Sequence, residues 1–269
     1  MNLLLAGGDR RMLALRLLLQ NDGHEVHTIG LVEGDAATAD PSAADALIFA
    51  WPFSAKNGLV PTITGEQIRP EELLGSTRPG TAVIGGRGLE DWHFLKRYES
   101  VEAFNRANAS ISAEATVFEV MLRADRALND LKILVTGYGL FGSAAAQKLK
   151  VLGADVWIAA RRAEMRKQAE LDGLRACSME DMGERLSDTD FVLNTVPAPV
   201  LGERELRKLK KGAWVLEAAS APYGFNRDLA TALGLNAVLL PGLPARYAPQ
   251  SAAKALHAAV RELLKEEAG

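Results

Sequence analysis

Six consecutive residues carry the most chemistry in this chain: Gly137-Tyr138-Gly139-Leu140-Phe141-Gly142. A lone G-x-G-x-x-G is weak evidence. Here the apolar run Lys132 to Thr136 precedes it, and a helix-forming stretch, Ser143 to Leu152, follows. Gly153 closes that stretch and a second apolar run, Asp155 to Ala159, begins at once. This is the strand–helix–strand context that a dinucleotide fingerprint requires. In such a unit Gly137 permits the tight turn. Gly139 leaves the backbone open to a pyrophosphate, and Gly142 lets helix and strand approach. The helix N-terminus adds unpaired N–H groups and partial positive charge. The plainer alternative is a glycine-rich turn without ligand. The second strand ends Ala159-Ala160-Arg161-Arg162, with no acid to accept a hydrogen bond from a ribose 2′-OH. Guanidinium groups pair well with phosphate oxygens, so the pattern points to NADP, with NAD as the alternative. A solvated helix start would account for the two arginines equally simply. FAD is disfavoured, because the chain leaves little room for a flavin-clasping domain.

Ligands of parallel α/β sheets bind at the carboxyl ends of strands. Three further predicted strands end in small, polar or proline residues: Asn194-Thr195-Val196-Pro197-Ala198, Ala219-Ser220-Ala221-Pro222, and Pro241-Gly242-Leu243-Pro244. The expected cofactor set is therefore Gly137 to Gly142, Ala160, Arg161, Arg162, Thr195, Val196, Pro197, Ala219 and Gly242. In the first half the corresponding ends are Gly7-Gly8-Asp9-Arg10-Arg11, Trp51-Pro52-Phe53-Ser54 and Gly85-Gly86-Arg87. Arg10, Arg11, Lys56, Arg87 and Arg246 offer cations for an anionic substrate, although most surface arginines are simply solvated. His24, His27, His93 and His257 read as structural, and Cys177 as a small packed residue. No nucleophile–histidine–acid set is apparent. Hydride transfer needs none, since it depends on orientation and desolvation.

The elements that must position these residues alternate strand and helix, which implies an α/β fold with parallel sheets. The expected architecture has two lobes. The N-terminal lobe is a flavodoxin-like parallel α/β domain over residues 1–111. A linker helix follows over 112–128, capped by Ser112 with Glu114 in its first turn. A Rossmann doubly wound domain covers 129–248, and a terminal helix, 249–269, returns to the first lobe. Shorter elements include a helix from Leu89 to Arg97 and a loop-like stretch from Gly30 to Ser42. The chain has 269 residues, 48% hydrophobic and 24% charged, which excludes a disordered or collagenous chain. Its net charge of −3 gives no general electrostatic reason to bind nucleic acid. One cysteine precludes an internal disulfide and fits a reducing compartment. No metal-ligand spacing occurs. No apolar run reaches the ~18 residues of a membrane span, and no signal peptide is visible. The expected location is cytoplasmic.

The loops as a set resemble one family along the whole chain, the A subunits of dipicolinate synthase from spore-forming bacteria. Gly7-Gly8-Asp9-Arg10-Arg11 is similar to the family's G-G-D-x-R, and Pro52 with Ser54 to its P-V-S. Ser112-Ala113-Glu114-Ala115 resembles T-x-E-G. The fingerprint, Ala160-Arg161, Asn194 to Ala198 with Val200-Leu201, Ala219-Ser220-x-Pro222, and Pro241 to Pro244 with Ala248-Pro249 complete the pattern. The resemblance implies an NADP-dependent dehydrogenase that oxidises a dihydropyridine dicarboxylate to dipicolinate for sporulation. Its precursor would be the lysine pathway's cyclic hydroxy-tetrahydrodipicolinate. By motif position it implies Arg11, Ser54, Glu114 and Ser220 as catalytic residues. It also implies a small dicarboxylate substrate and, for a partner, a flavoprotein-like B subunit, with self-association left open. Shikimate-type or 2-hydroxyacid-type dehydrogenases, and a non-catalytic NADP-binding subunit, are the other readings. The chain departs from the family pattern at Ala115, Leu140, Glu217, Ala221, Tyr223, Ala245 and Gln250.

Overall fold

A computed structural model describes residues 1–53, 58–89 and 91–265. In chain order the elements begin with β1 (Asn2–Ala6), α1 (Arg10–Asn21), β2 (Glu25–Ile29), β3 (Ala46–Phe49), α2 (Pro70–Gly75), β4 (Ala82–Gly85) and β5 (Lys96–Arg97). Then come α3 (Glu102–Arg123), β6 (Lys132–Thr136), α4 (Leu140–Val151), β7 (Asp155–Ala159), α5 (Ala163–Leu171), β8 (Arg175–Cys177) and α6 (Gly183–Leu186). The chain continues through β9 (Phe191–Asn194), α7 (Glu203–Leu206), β10 (Trp214–Glu217), α8 (Arg227–Ala232), β11 (Asn236–Leu239), α9 (Leu243–Tyr247) and α10 (Pro249–Lys265). They form two units, one of residues 1–108 with 244–269, the other of residues 109–243.

The first unit holds a five-stranded sheet in the order β2-β1-β3-β4-β5, with every pairing parallel. This is the flavodoxin-like order 2-1-3-4-5. Its strands are apolar on both faces because helices and loops cover both. Leu3, Leu5, Ile48 and Ile84 share one core with Met12, Leu15 and Leu19 of α1 and Leu256, Val260 and Leu263 of α10. The alternate residues Leu4, Leu47, Phe49 and Val83 pack on the other side with Phe53, Val60, Leu73 and Leu95. Across the helical face, His257 of α10 meets Asp22 at the end of α1, 2.7 Å away.

The second unit is a six-stranded parallel sheet in the order β11-β10-β9-β6-β7-β8. Its first strand, β6, lies at the centre, and the chain winds outward from it in both directions, as in the doubly wound sheets of Rossmann domains. Leu134, Val192 and Val215 face Leu186, Leu206, Leu209 and Phe225. Alternation sends Ile133 and Val135 to the opposite face, where α4 contacts β6 and β7.

Three local expectations are corrected. The helix expected from Ser112 begins ten residues earlier, at Glu102, and ends at Arg123. Ser112 is therefore buried inside it rather than capping it, and Glu114 lies on an exposed mid-helix position. Asn105, Asn108 and Ser110, weak helix formers, interrupt residues 102–111 and blur the helix start. Packing overrides this weakness: Phe104 lies against Trp51 and Tyr98. No helix forms over Leu89 to Arg97 among the described residues. Two successive turns, Trp92 N–H to Leu89 C=O and Leu95 N–H to Trp92 C=O, lead into the edge strand β5. The helix after the glycine fingerprint starts at Leu140, not Ser143. The stretch from Gly30 to Ser42 carries only two single 3-10 turns. Strands β5 and β8, two and three residues long, have too few positions for any period to show.

The amino ends of the second sheet are tied together by one carboxylate. Asp190, just before β9, accepts from the Lys132 N–H at 2.8 Å, from Arg126 at 2.7 Å and from Lys210 at 2.5 Å. Burial alone raises its pKa, but these donors, Lys210 first, outweigh burial and hold it below the ordinary carboxylate value. A depressed folded pKa contributes stability above the unfolded pKa and loses it as pH falls through the folded one. Asp190→Asn should therefore lower stability at pH 7 by about 1.5–3 kcal/mol, the range for hydrogen bonds to a charged group. In thermal melts the gap between variant and parent should close below about pH 4. A gap that stays constant across pH would show that the charge is not what stabilises this end of the sheet.

Candidate functional site

At the carboxyl ends of the second sheet the fingerprint folds into a turn and the start of α4. Gly137 has φ of 90°, and a Cβ there would stand 2.7 Å from the Thr195 hydroxyl and 2.9 Å from a Val196 methyl. A Cβ on Gly142 would meet the Gly137 carbonyl oxygen at 2.5 Å. Both glycines are thus required by the protein's own packing. Gly139 is different. Its φ is −82°, open to any residue, and a Cβ there would meet no atom within 4 Å. It is the N-cap of α4 and offers no side chain to the first-turn N–H groups, so they remain available to an anion.

Tyr138 fixes the turn from outside. It is buried, its hydroxyl donates to Asp172 at 2.7 Å, and Asp172 caps the end of α5. Burial first, and this hydrogen bond second, push the phenol pKa up to about 12. It stays a neutral wall at any physiological pH.

A cavity of ≈ 840 Å³ opens over this turn. The structure brings Gly137 to Gly142, Ala160, Arg161, Arg162, Thr195, Val196 and Pro197 together in its wall. Ala219 and Gly242 are not in that wall. Ala219 is half-buried beside the next strand end, and Gly242 is an exposed turn residue with φ of 61°. Sequence reading missed Met165, Met179, Glu180, Arg204 and Glu205, which also line the cavity. Glu180 follows β8, too short to be seen as a strand, so nothing marked its position as a strand end. The cavity is large enough for a cofactor, within the usual ~300–1,000 Å³ of ligand sites.

Beneath the strand ends after β9 and β10 lies a buried polar network. Glu217, 1% exposed, accepts from Asn194 Nδ2 at 2.7 Å, the Gly224 N–H at 2.6 Å and the Ala219 N–H at 3.0 Å. Asn194 in turn accepts from the Thr136 hydroxyl at 2.5 Å and donates to the Val196 carbonyl at 2.9 Å. Burial raises the Glu217 pKa, and the three N–H donors only partly offset it. The network fixes the Thr195–Pro197 turn and the loop carrying Ser220, which is exposed and whose carbonyl accepts from the Tyr223 N–H.

In the first unit, Asp9 caps α1 and takes the Nε and one Nη of Arg11, at 2.9 and 2.8 Å. Arg11 is 7% exposed. Burial works to raise the Asp9 pKa, and the Arg11 guanidinium brings it below the ordinary value. The loops after β3 and β4 meet at one oxygen of Glu99, which accepts from the Trp51 indole and the Arg87 N–H, each at 2.6 Å. Ser54 and Lys56 lie outside the described residues. Among the described residues no group of acids, histidines and cysteine could hold a metal ion. None of the described helices is long and apolar enough to cross a membrane.

This fold and glycine turn define a dinucleotide-binding dehydrogenase class. The chain belongs to the family of D-isomer specific 2-hydroxyacid dehydrogenase NAD-binding domains, which matches residues 99–240. It is an NAD(P)-dependent oxidoreductase with a nicotinamide dinucleotide as its cofactor. Over nearly its whole length it is similar to the A subunit of dipicolinate synthase from Bacillus subtilis (strain 168), 24% identical across 97% of this chain and 94% of that one. The crystal structure of the corresponding A subunit from Bacillus halodurans superposes with a TM-score of 0.88 at 24% identity, covering 98% of this chain and 97% of that one. A transhydrogenase from Sinorhizobium meliloti gives 0.69 at 18% identity, with 99% and 93% covered. At such identities the structural likenesses speak for the fold.

Two substitutions separate a ligand's demand from the protein's own. Gly142→Ala should destabilise by about 1–3 kcal/mol through overpacking. Gly139→Ala should fold with nearly the parent's melting temperature yet bind a nicotinamide dinucleotide at least about tenfold more weakly, a loss of ~1.4 kcal/mol. Unchanged binding in Gly139→Ala would remove the ligand-based reason for that glycine.

Proposed function

We propose that this chain is an NADP-dependent dehydrogenase that oxidises a dihydropyridine dicarboxylate to dipicolinate. Gly139 is the observation that carries the cofactor half. It is a glycine that neither backbone nor packing requires, standing at the mouth of a helix N-terminus inside a cofactor-sized cavity. The reaction half is supported by similarity that runs through both units to the A chain of a dipicolinate synthase.

The α4 first-turn N–H groups would hold the pyrophosphate, and Arg161 and Arg162 the 2′-phosphate. Neither arginine has a carboxylate partner among the described residues, so both guanidinium groups are available. The oxidised cofactor, when bound, supplies a hydride acceptor. Loss of one hydride and one proton turns the dihydropyridine ring aromatic, which makes the step favourable without a covalent intermediate. In the first unit Arg11 is the assigned carboxylate anchor. Asp9 takes one edge of its guanidinium, and its second Nη has no partner among the described residues. Glu114, Ser220 and Ser54 join it by motif position alone, as candidates to orient the substrate or take the proton. The relative is named as one component of a synthase, which supports a second, partner component for this chain. We assign the cytoplasm as the location of the pair.

A second reading is NAD in place of NADP. Glu180 favours it, because an acid in the cavity wall can accept from a ribose 2′-OH. Arg161→Asp separates the two readings. It should weaken NADP by at least about tenfold and leave NAD within about twofold, since only the 2′-phosphate loses its cation. Equal weakening of both would remove the 2′-phosphate contact. The activity is tested by mixing the protein with freshly generated hydroxy-tetrahydrodipicolinate and either cofactor, alone and with a B subunit. Reduced cofactor and dipicolinate should appear together, in equal amounts. Cofactor binding without dipicolinate in either mixture would overturn the proposed reaction and leave the dehydrogenase fold standing.

A further inference from the structure

We propose that Arg204 grips the pyrophosphate of the bound dinucleotide, and so serves NADP and NAD alike. The inference rests on reading the cavity as a dinucleotide site. The first turn of α4, Leu140-Phe141-Gly142, carries no basic side chain, so the helix terminus alone faces the two phosphates there. The sheet order places β7 on one side of β6 and β9 on the other. Arg161 and Arg162 follow β7, and Arg204 follows β9. The cavity wall thus has cations from both flanks of the glycine turn.

Arg204 is also available. It is exposed, and no acid or carbonyl of the described residues pairs with it. Three positions along, Arg207 is tied to Glu203. The remaining acid of that helix, Glu205, lines the same cavity, but one of its oxygens accepts from the Gly202 N–H at 3.1 Å. The helix thus commits its two acids elsewhere and leaves the cavity-facing arginine unpaired. A guanidinium so placed matches the paired oxygens of a phosphate. The pyrophosphate is common to both dinucleotides, whereas the 2′-phosphate belongs to NADP alone. Arg204 therefore sets overall affinity, and Arg161 with Arg162 set the preference between cofactors.

Calorimetric titration of the whole chain with NADP and with NAD tests this. For Arg204→Ala, both dissociation constants should rise by about tenfold, with their ratio unchanged, as for loss of one charge-assisted hydrogen bond. Arg204→Lys should recover part of the loss, and Arg207→Ala should bind as the parent does. The melting temperature of Arg204→Ala should match the parent's, because no partner is lost. Two results overturn the assignment: a loss confined to NADP, which would move Arg204 to the 2′-phosphate, or no loss at all. A parent protein that binds neither dinucleotide would instead overturn the dinucleotide reading of the cavity, and this inference with it.

Discussion

The close approach of two stretches of backbone and the side chains of Thr195 and Val196 governs the second unit. The end of β6, the first turn of α4 and the turn after β9 meet so tightly that a single carbon on Gly137 or Gly142 has nowhere to go. Close packing of interiors means that even one added carbon is felt here. It sets where α4 begins, so its N-terminus points into the cavity and not into the sheet. From that one position follow the exposed N–H groups, the placing of Tyr138 against Asp172, and the cavity floor of Thr195 and Val196.

The buried network of Glu217, Asn194 and Thr136 keeps that floor in register. A carboxylate buried without a cation is costly unless its oxygens are satisfied. Here three N–H donors satisfy it: one is Asn194 at the end of β9, and the other two, Ala219 and Gly224, belong to the loop after β10, which would otherwise be held only by its ends. The network thus converts a liability of burial into fixed loop geometry. Asp190 does the opposite work at the other end of the sheet. It gathers two cations and a backbone N–H, and so ties strands together. One sheet therefore has a structural end and an end that carries the cavity, each organised by a single acid.

The first unit repeats the logic with different chemistry. Glu99 joins the loops after β3 and β4 through one oxygen, and Asp9 holds the turn after β1 through Arg11. In both units, side chains at strand ends or close beside them decide how the loops lie. This is where α/β folds keep their chemistry, since strands are fully occupied by their ladders.

The sequence by itself determined the class of fold and the location of the fingerprint. Apolar runs broken by glycine show strands such as Leu3-Leu4-Leu5, and glycine spacing shows the turn at residue 137, because both are local signals. Arg161 and Arg162 are legible for the same reason, as they directly follow a visible strand. Tertiary structure decided the rest. The start of α3 at Glu102 depends on Phe104 packing against Trp51 and Tyr98, contacts that local helix propensity does not reveal. Strands β5 and β8 exist only because a neighbouring strand end offers them hydrogen bonds. Glu180 and Arg204 join the cavity because strand order brings the loop after β9 beside the glycine turn and the loop after β8 one strand further along, past β7. Their positions in the chain, about 40 and 60 residues beyond the motif, carry no trace of that meeting, since the parallel crossovers that create it are long by geometric necessity.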